Sequence, residues 1–400
     1  MSARTRSLAV AMAAASALVL SACGGGGGGG GADSDEAIPI GIIADLTGAT
    51  GDVGKPYNEG MLAYVDWRNE EGGIEGRQIE AKSNDYAYEV PQAEQLYKQY
   101  VNDGVVAIQG WGTGDTEALS GSVSRDELPF ISGSFAEPLT DPEEAPYNFI
   151  IAPTYSDQMR IALNWISEDS GGKSDVAVFH NDSPFGEAPV ADGKNWIEEE
   201  GLELGYEAYP MPSGSQNFVG LLSQAKDQGA KYIVIQNVAS PAALVAKDIA
   251  AQKLDMKIVC LNWCANELFI ESAGPKNAEG HVLVQPFAPM AADKEGHQVI
   301  KEYAEANGID TADIGTSWVQ GWYAMDVMAE GIEAALKNGD DLTGTAIREG
   351  LETMGAIETG GVVGDGSVEF SADSHRGSTA TGIYRAEDGK MVEIEDGATL

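Results

Sequence analysis

Ile38-Pro39-Ile40-Gly41-Ile42-Ile43-Ala44 is a short apolar, β-branched run that ends in the turn-rich Leu46-Thr47-Gly48-Ala49-Thr50-Gly51. An apolar run bounded by turn residues reads as a buried strand followed by a loop. From Tyr57 onward Met61, Leu62, Val65 and Trp67 recur at helical spacing, and Gly72-Gly73 stops that helix. A strand around Ile79 and a helix from Pro91 to Val101 come next. Val105–Ile108 (strand), Thr116–Ser124 (helix) and Pro129–Ser132 (strand) repeat the alternation, and the stretch 147–152 crosses to a second series. There, strands at Val176–His180, Leu204–Tyr209, Tyr232–Gln236 and Ile258–Leu261 alternate with helices at Gly186–Glu200, Phe218–Gln228 and Pro241–Gln252. Strand–helix alternation over this length predicts parallel sheets with helices on both faces. Two series predict an α/β protein of two doubly wound lobes. His281–Pro286 is expected to return to the first lobe, which gains helices over Lys294–Asn307 and Trp318–Lys337. The last strands, near Val368, Ile383 and Val392, are expected in the second lobe.

Ahead of the folded part, Arg4 and Arg6 precede an apolar, small-residue run from Leu8 to Leu20. A positive end and a run too short to span a bilayer describe an export signal, over residues 1–22. Leu20-Ser21-Ala22-Cys23 resembles the lipobox of bacterial lipoproteins, in which Cys23 would carry the lipid. Gly24 to Gly31 follow at once, and residues 23–37 form a glycine-rich tether of about 20 Å end to end. The chain is therefore expected outside the cytoplasm, lipid-anchored at a cell membrane.

The formal charge is -39, from 24 basic and 63 acidic residues; the export signal carries two of the arginines and no acid. Such a surface repels nucleic acid and anionic lipid. Outside the cytoplasm Cys260 and Cys264 can pair, but their spacing closes a very small loop, so a disulfide and two free thiols both remain open. Neither a metal site nor a cofactor is expected, since His180, His281, His297 and His375 are scattered and no phosphate loop, His-Glu-x-x-His or nucleophile elbow occurs. Gly110-Trp111-Gly112-Thr113-Gly114, between a strand and a helix, reads either as an anion cradle at a helix N-terminus or as a tight turn that needs glycine.

These pieces resemble one family. Ile40–Gly48, then Asn69-Glu70-Glu71-Gly72-Gly73-Ile74-Glu75-Gly76-Arg77, Val101–Val105 and Phe179–Gly186 are similar to segments of type I periplasmic binding proteins, the solute-binding components of branched-chain amino-acid-type ABC importers. The resemblance runs from Ile38 to the C-terminus. It implies two lobes joined by a three-crossing hinge, with 38–152 plus 286–363 in lobe 1 and 153–285 plus 364–400 in lobe 2. It also implies a monomer without catalytic activity that passes its ligand to an ABC permease. Ligand contacts are expected after the strands: Trp111, Gly112, Thr113, Ser134, Phe135 and Ala136 from lobe 1, and Phe185, Asn237, Asn262 and Trp263 from lobe 2, with Trp318 on the hinge side.

Two positions depart from the amino-acid binders of the family. Asn262 stands where they place the acidic partner of the ligand ammonium, and Val238 where they often keep a tyrosine. An amide supplies no charge, and a buried ammonium without one is costly. The expected ligand is a small amino-acid-like solute, a carboxylate or an amide, with an aromatic or aliphatic carboxylate, or an amide, favoured over a simple zwitterionic amino acid. The competing classes are a ligand-sensing receptor component and a hydrolase built on a hydroxyl such as Ser134.

Overall fold

A computed structural model describes residues 36–339 and 341–400. The expected export signal, Cys23 and the glycine run lie outside the described residues. Among those described, no helix is long and apolar enough to cross a membrane.

The first series runs β1 (Ile38–Ala44), α1 (Gly51–Glu70), β2 (Ile79–Asp85), α2 (Val90–Asp103), β3 (Ala107–Gly110), α3 (Thr113–Asp126), β4 (Phe130–Ser132) and β5 (Asn148–Phe149). Its five strands are all parallel, in the order β2-β1-β3-β4-β5. Ile38, Ile40, Ile42 and Ile43 are fully buried, as a strand covered on both faces requires.

The second series runs α4 (Tyr155–Asp169), β6 (Lys173–Asn181), α5 (Pro184–Glu187), α6 (Val190–Glu200), β7 (Glu203–Met211), α7 (Val219–Gln228), β8 (Tyr232–Gln236), α8 (Ala239–Gln252), β9 (Lys257–Cys260), α9 (Glu267–Ala273), α10 (Pro275–Ala278) and β10 (Val282–Gln285). Then come α11 (His297–Asn307), α12 (Thr316–Lys337), α13 (Gly344–Thr353), the short β11 (Ile357–Glu358) and β12 (Ser367–Val368), and the hairpin β13 (Thr381–Glu387) and β14 (Lys390–Ala398). The second sheet has the order β14-β13-β10-β9-β8-β6-β7, with β13 and β14 antiparallel. Its parallel part repeats the order of the first sheet. In both, the winding reverses beside the first strand, which opens a crevice at the carboxyl ends there.

Three expectations are corrected. His281–Pro286 does not return directly to the first lobe, because Val282–Gln285 pairs with β9 and β13 in the second sheet. Val368 pairs with Ile357 in a separate two-stranded ribbon. The expected helix Gly186–Glu200 is two helices that part at Pro189, whose ring lacks the N–H a continuous helix needs.

The chain passes between the sheets three times, and the passages hydrogen-bond to one another. Ile150 N–H donates to His375 O (2.9 Å), and Gly377 N–H donates to Ile150 O (2.7 Å). Gly364 N–H donates to Pro286 O and Ala288 N–H to Val362 O, each at 2.8 Å. Arg376 adds a two-oxygen ion pair to the buried Asp157 (3.1 and 3.0 Å), whose carboxylate also completes a capping box with Thr154 at the start of α4.

Helix α12 covers the first sheet by crossing α1 at very short range. A Cβ on Gly60 would lie 2.0 Å from Trp318 O, and one on Gly321 would lie 1.8 Å from Tyr57 O. Both obstacles are backbone, so the helices would have to separate. Gly321→Ala is expected to destabilise the fold by about 1–3 kcal/mol. Gly121→Ala, mid-helix in α3 with nothing near its added methyl, should raise stability by about 0.5–1 kcal/mol. Thermal denaturation of the two variants checks both signs.

Candidate ligand site

The carboxyl ends of the two sheets share a narrow cavity of about 10 Å³ lined by Thr50, Tyr88, Trp111, Gly112, Thr113, Gly133, Tyr155, Phe185, Val238 and Trp263. Each residue comes from a segment that leaves a strand. Thr50 follows β1, Tyr88 follows β2, Trp111 to Thr113 follow β3, and Gly133 follows β4. Tyr155 opens α4 after β5. Phe185, Val238 and Trp263 follow β6, β8 and β9 of the second sheet. A wider hollow lined by Lys173, Lys231, Lys257 and His281 lies at the opposite ends of the second-sheet strands and takes its lining from that lobe alone.

The first-lobe wall is built on Asp45, buried at the end of β1. Its carboxylate accepts from Gly48 N–H (2.6 Å), Thr50 N–H (2.9 Å) and Thr50 O–H (2.6 Å). Thr50 Oγ1 in turn accepts from Trp111 Nε1 (2.8 Å), which fixes the indole over the cavity. Next to it, the Thr113 and Ser134 hydroxyls pair at 2.7 Å. Helix α3 starts at Thr113 with Gly112 as its cap residue and no side-chain cap. Its first N–H groups have no backbone acceptor within the helix and favour an anion; the Asp115 carboxylate in the first turn takes part of that role by accepting from the Gly112 and Asp115 N–H groups. A side chain on Gly112 would collide with Asp115, Tyr86 and Tyr88, so glycine is needed there as well. The tight-turn reading of the Gly110–Gly114 loop thus has a steric reason.

From the second lobe, Trp263 reaches across. Its Nε1 donates to Gly133 O (3.2 Å) and to the Tyr155 hydroxyl oxygen (3.0 Å), while Tyr155 donates to Gly133 O (3.1 Å). Trp263 meets Trp111 edge-on at 4.6 Å between centroids and stacks on Phe135 at 5.9 Å. Phe185 packs against Tyr155 at 5.4 Å. Burial pushes the Tyr57, Tyr88 and Tyr155 phenols well above their ordinary range, so they remain neutral.

Two carboxylates join the lobes outside the cavity. Asp52 of α1 accepts from Ser240 N–H at the start of α8 (2.9 Å). Glu267 of α9 accepts from Thr316 N–H (2.8 Å) and Thr316 O–H (2.9 Å) at the start of α12, which has no cap of its own. Each helix N-terminus thus takes its anion from the opposite lobe.

Of the eleven expected contact residues, Trp111, Gly112, Thr113, Phe185 and Trp263 line the cavity. Ser134 sits one hydrogen bond behind Thr113. Phe135 backs Trp263, and Ala136 donates its N–H to Ser134 Oγ (3.4 Å). Three lie elsewhere. Trp318 stacks on Trp322 at 5.5 Å, in a cluster with Tyr64, Trp67 and Tyr303 between α1, α11 and α12. The Asn237 side chain accepts from Asn181 Nδ2 (3.0 Å) and contacts Met211 Sδ (3.2 Å) on a neighbouring groove. Asn262 belongs to a buried amide network. Gln285 is oriented by backbone, donating to Asn262 O and Ala265 O and accepting from Phe287 N–H. Gln320 must then present its NH2 to Gln285 Oε1 (2.9 Å) and to Asn262 Oδ1 (2.6 Å). Sequence reading missed Thr50, Tyr88, Gly133 and Tyr155. Thr50 and Gly133 sit in loops directly after strands that it had placed, which was the available signal.

Cys260 and Cys264 are free, buried thiols. Cys264 Sγ donates to Ile235 O (3.3 Å) and Leu261 O (3.4 Å), and burial pushes the Cys260 thiol well up. A short helical turn over Asn262–Cys264 aims the second thiol at β8 backbone. Among the described residues no group of His, Cys, Asp and Glu could hold a metal ion.

The periplasmic binding protein family matches residues 37–390. This chain belongs to that family. Among its relatives, a Leu/Ile/Val-binding protein homolog of Brucella melitensis is 22% identical over 90% of this chain and 94% of its own. A leucine-, isoleucine-, valine-, threonine- and alanine-binding protein of Pseudomonas aeruginosa is 23% identical over 78% and 82%. A branched-chain amino acid ABC transporter structure from Thermus thermophilus with bound valine superposes with a TM-score of 0.86 at 25% identity, over 91% of this chain and 97% of that one. A fatty acid ABC transporter substrate-binding protein from Thermomonospora curvata shares the fold, with a TM-score of 0.80 at 20% identity over 91% and 93%. As a periplasmic binding protein with such relatives, this chain is a solute-binding component of ABC-type transport.

Asp115 supplies a pH signature behind the site. It is buried, accepts from Tyr86 O–H (2.7 Å), and burial raises its carboxyl to about 7. Between the ordinary value near 4 and 7 the folded state keeps this proton and the unfolded state gives it up. The contribution is therefore complete below pH 4 and lost as pH rises through 7. Asp115→Asn keeps an acceptor for Tyr86 and should flatten the fall in melting temperature between pH 5 and pH 8. Asp326, also raised to about 7 by burial, leaves a residual slope.

Proposed function

We propose that this chain is the lipid-anchored solute-binding protein of an ABC importer, which captures a small carboxylate-bearing solute between its lobes and hands it unchanged to the permease. The observation that carries this reading is the wall formed by the uncapped start of α3 and the Thr113–Ser134 hydroxyl pair, facing aromatic groups from the other lobe. Backbone N–H groups and hydroxyls are the donors a carboxylate needs. Capture is an equilibrium between open and closed arrangements, biased by a ligand that touches both lobes. The Cys23 anchor and glycine tether support delivery at a membrane surface.

Relatives named for leucine, isoleucine and valine make branched-chain amino acids the first candidates. The lining argues otherwise, because no carboxylate lines the cavity and a primary ammonium would leave three N–H groups without an anionic acceptor. The hydrolase reading has little support, since Ser134 Oγ meets Thr113 Oγ1 and Ala136 N–H and no base.

A thermal-shift panel tests the ligand class. Isovalerate and phenylacetate should raise the melting temperature more than leucine, isoleucine or valine, and the reverse order rejects it. With the best carboxylate of that panel, Thr113→Ala should weaken binding about tenfold, the worth of one hydrogen bond to a charged group, and lower the melting temperature of the free protein without unfolding it, because Ser134 loses its partner. Unaltered affinity in calorimetry would remove this loop from the site.

A further inference from the structure

We infer that the cavity selects a carboxylate whose far end is a quaternary ammonium, a permethylated zwitterion, held by an aromatic cage instead of an acidic side chain. The inference rests on the carboxylate reading of the Thr113 wall and narrows it.

The first observation is the kind of side chain in the lining. Five of the ten lining residues are Tyr88, Trp111, Tyr155, Phe185 and Trp263, and Val238 is the one branched aliphatic among them. A plain hydrocarbon tail is matched as well by leucine or isoleucine. Indole and phenol faces carry a negative quadrupole as well, and a cation within about 6 Å of their centroids is attracted to it. The rings come from both lobes and crowd together, with Trp111 and Trp263 4.6 Å apart and Tyr155 and Phe185 5.4 Å apart. With the lobes together the rings nearly fill the cavity, so a ligand that enters while the lobes are apart is the one that meets several faces.

The second is the hydrogen bonding of those rings. Trp111 Nε1 donates to Thr50 Oγ1, which donates to the Asp45 carboxylate. Trp263 Nε1 donates to the Gly133 carbonyl and the Tyr155 oxygen. Donating an N–H toward an acceptor or anion enriches the ring in electron density, which strengthens its hold on a cation. These contacts also occupy the polar edges, while one face of Trp263 is taken by Phe135.

The third is charge. A primary ammonium needs acceptors for its three protons and finds no carboxylate on the wall. A quaternary ammonium has no N–H to satisfy. A bare carboxylate matches the Thr113 wall but must approach a chain of formal charge -39, whose field opposes it. A zwitterion approaches as a neutral species, with its cation drawn toward the acidic surface.

Calorimetry on the full-length protein with three probes tests this: trimethylglycine, its neutral isostere 3,3-dimethylbutanoate, and valine. The first two share shape and carboxylate and differ in the charge of one atom. Trimethylglycine is expected to bind at least tenfold more tightly than 3,3-dimethylbutanoate and than valine. Trp111→Phe, which keeps a ring but loses the stronger indole face and the Thr50 link, should reduce that ratio. Equal or tighter binding of the neutral isostere overturns the cation cage while leaving the carboxylate reading intact. Binding of valine alone overturns the cage and the carboxylate-without-amine reading together. Binding of none of the three overturns the cage, and the Thr113→Ala result then decides the carboxylate wall separately.

Discussion

A parallel sheet sends every strand's carboxyl end to the same edge, and the rest of this structure depends on two such edges facing each other. Helices that follow these strands begin there, with their N–H groups and partial positive charge turned toward the gap. Both sheets place their first strand between the second and third, so each edge opens at the same relative point. The cavity is lined from these positions alone.

The gap is spanned by directional contacts. Trp263 carries a second-lobe indole onto a first-lobe carbonyl, while Asp52 and Glu267 each cap a helix of the opposite lobe. Contacts of this kind exist only when the lobes are together, so they add to whatever differential affinity a ligand has for the closed arrangement. The hinge passages behave differently. Their backbone hydrogen bonds run between crossing segments, and the Arg376–Asp157 pair anchors the third passage to the first helix of the second lobe. Small changes of backbone angle there can move the lobes without breaking either core.

Much of the fold was legible because strand–helix alternation depends on local pattern. β-branched runs such as Ile38–Ala44 and Tyr232–Gln236 announce buried strands, and the glycines and turn residues after them mark the loops. The errors fall where pattern is silent. Val282–Gln285 reads as apolar strand whichever sheet it joins, and only partner geometry assigns it to β9 and β13. The same holds for Val368. In the site, Thr113, Trp111, Phe185 and Trp263 were legible because they stand next to strand ends. Trp318 was misplaced because an aromatic near a helix start can face a cleft or a neighbouring helix. Here the close approach of α1 and α12 at Gly60 and Gly321 draws it into the Trp322 cluster.

Sequence alone determined that this chain forms parallel α/β lobes and that the position after β9 holds an amide where an acid was expected. Those are matters of residue type and local order. Tertiary structure decided which rings meet, that Cys260 and Cys264 stay thiols, and that Asn262 is committed to Gln320 and Gln285 while Trp263 takes the cleft. The reason is distance along the chain. Trp263, Gly133 and Tyr155 converge only after two sheets have formed and turned their edges together, and no local pattern encodes the angle at which they meet.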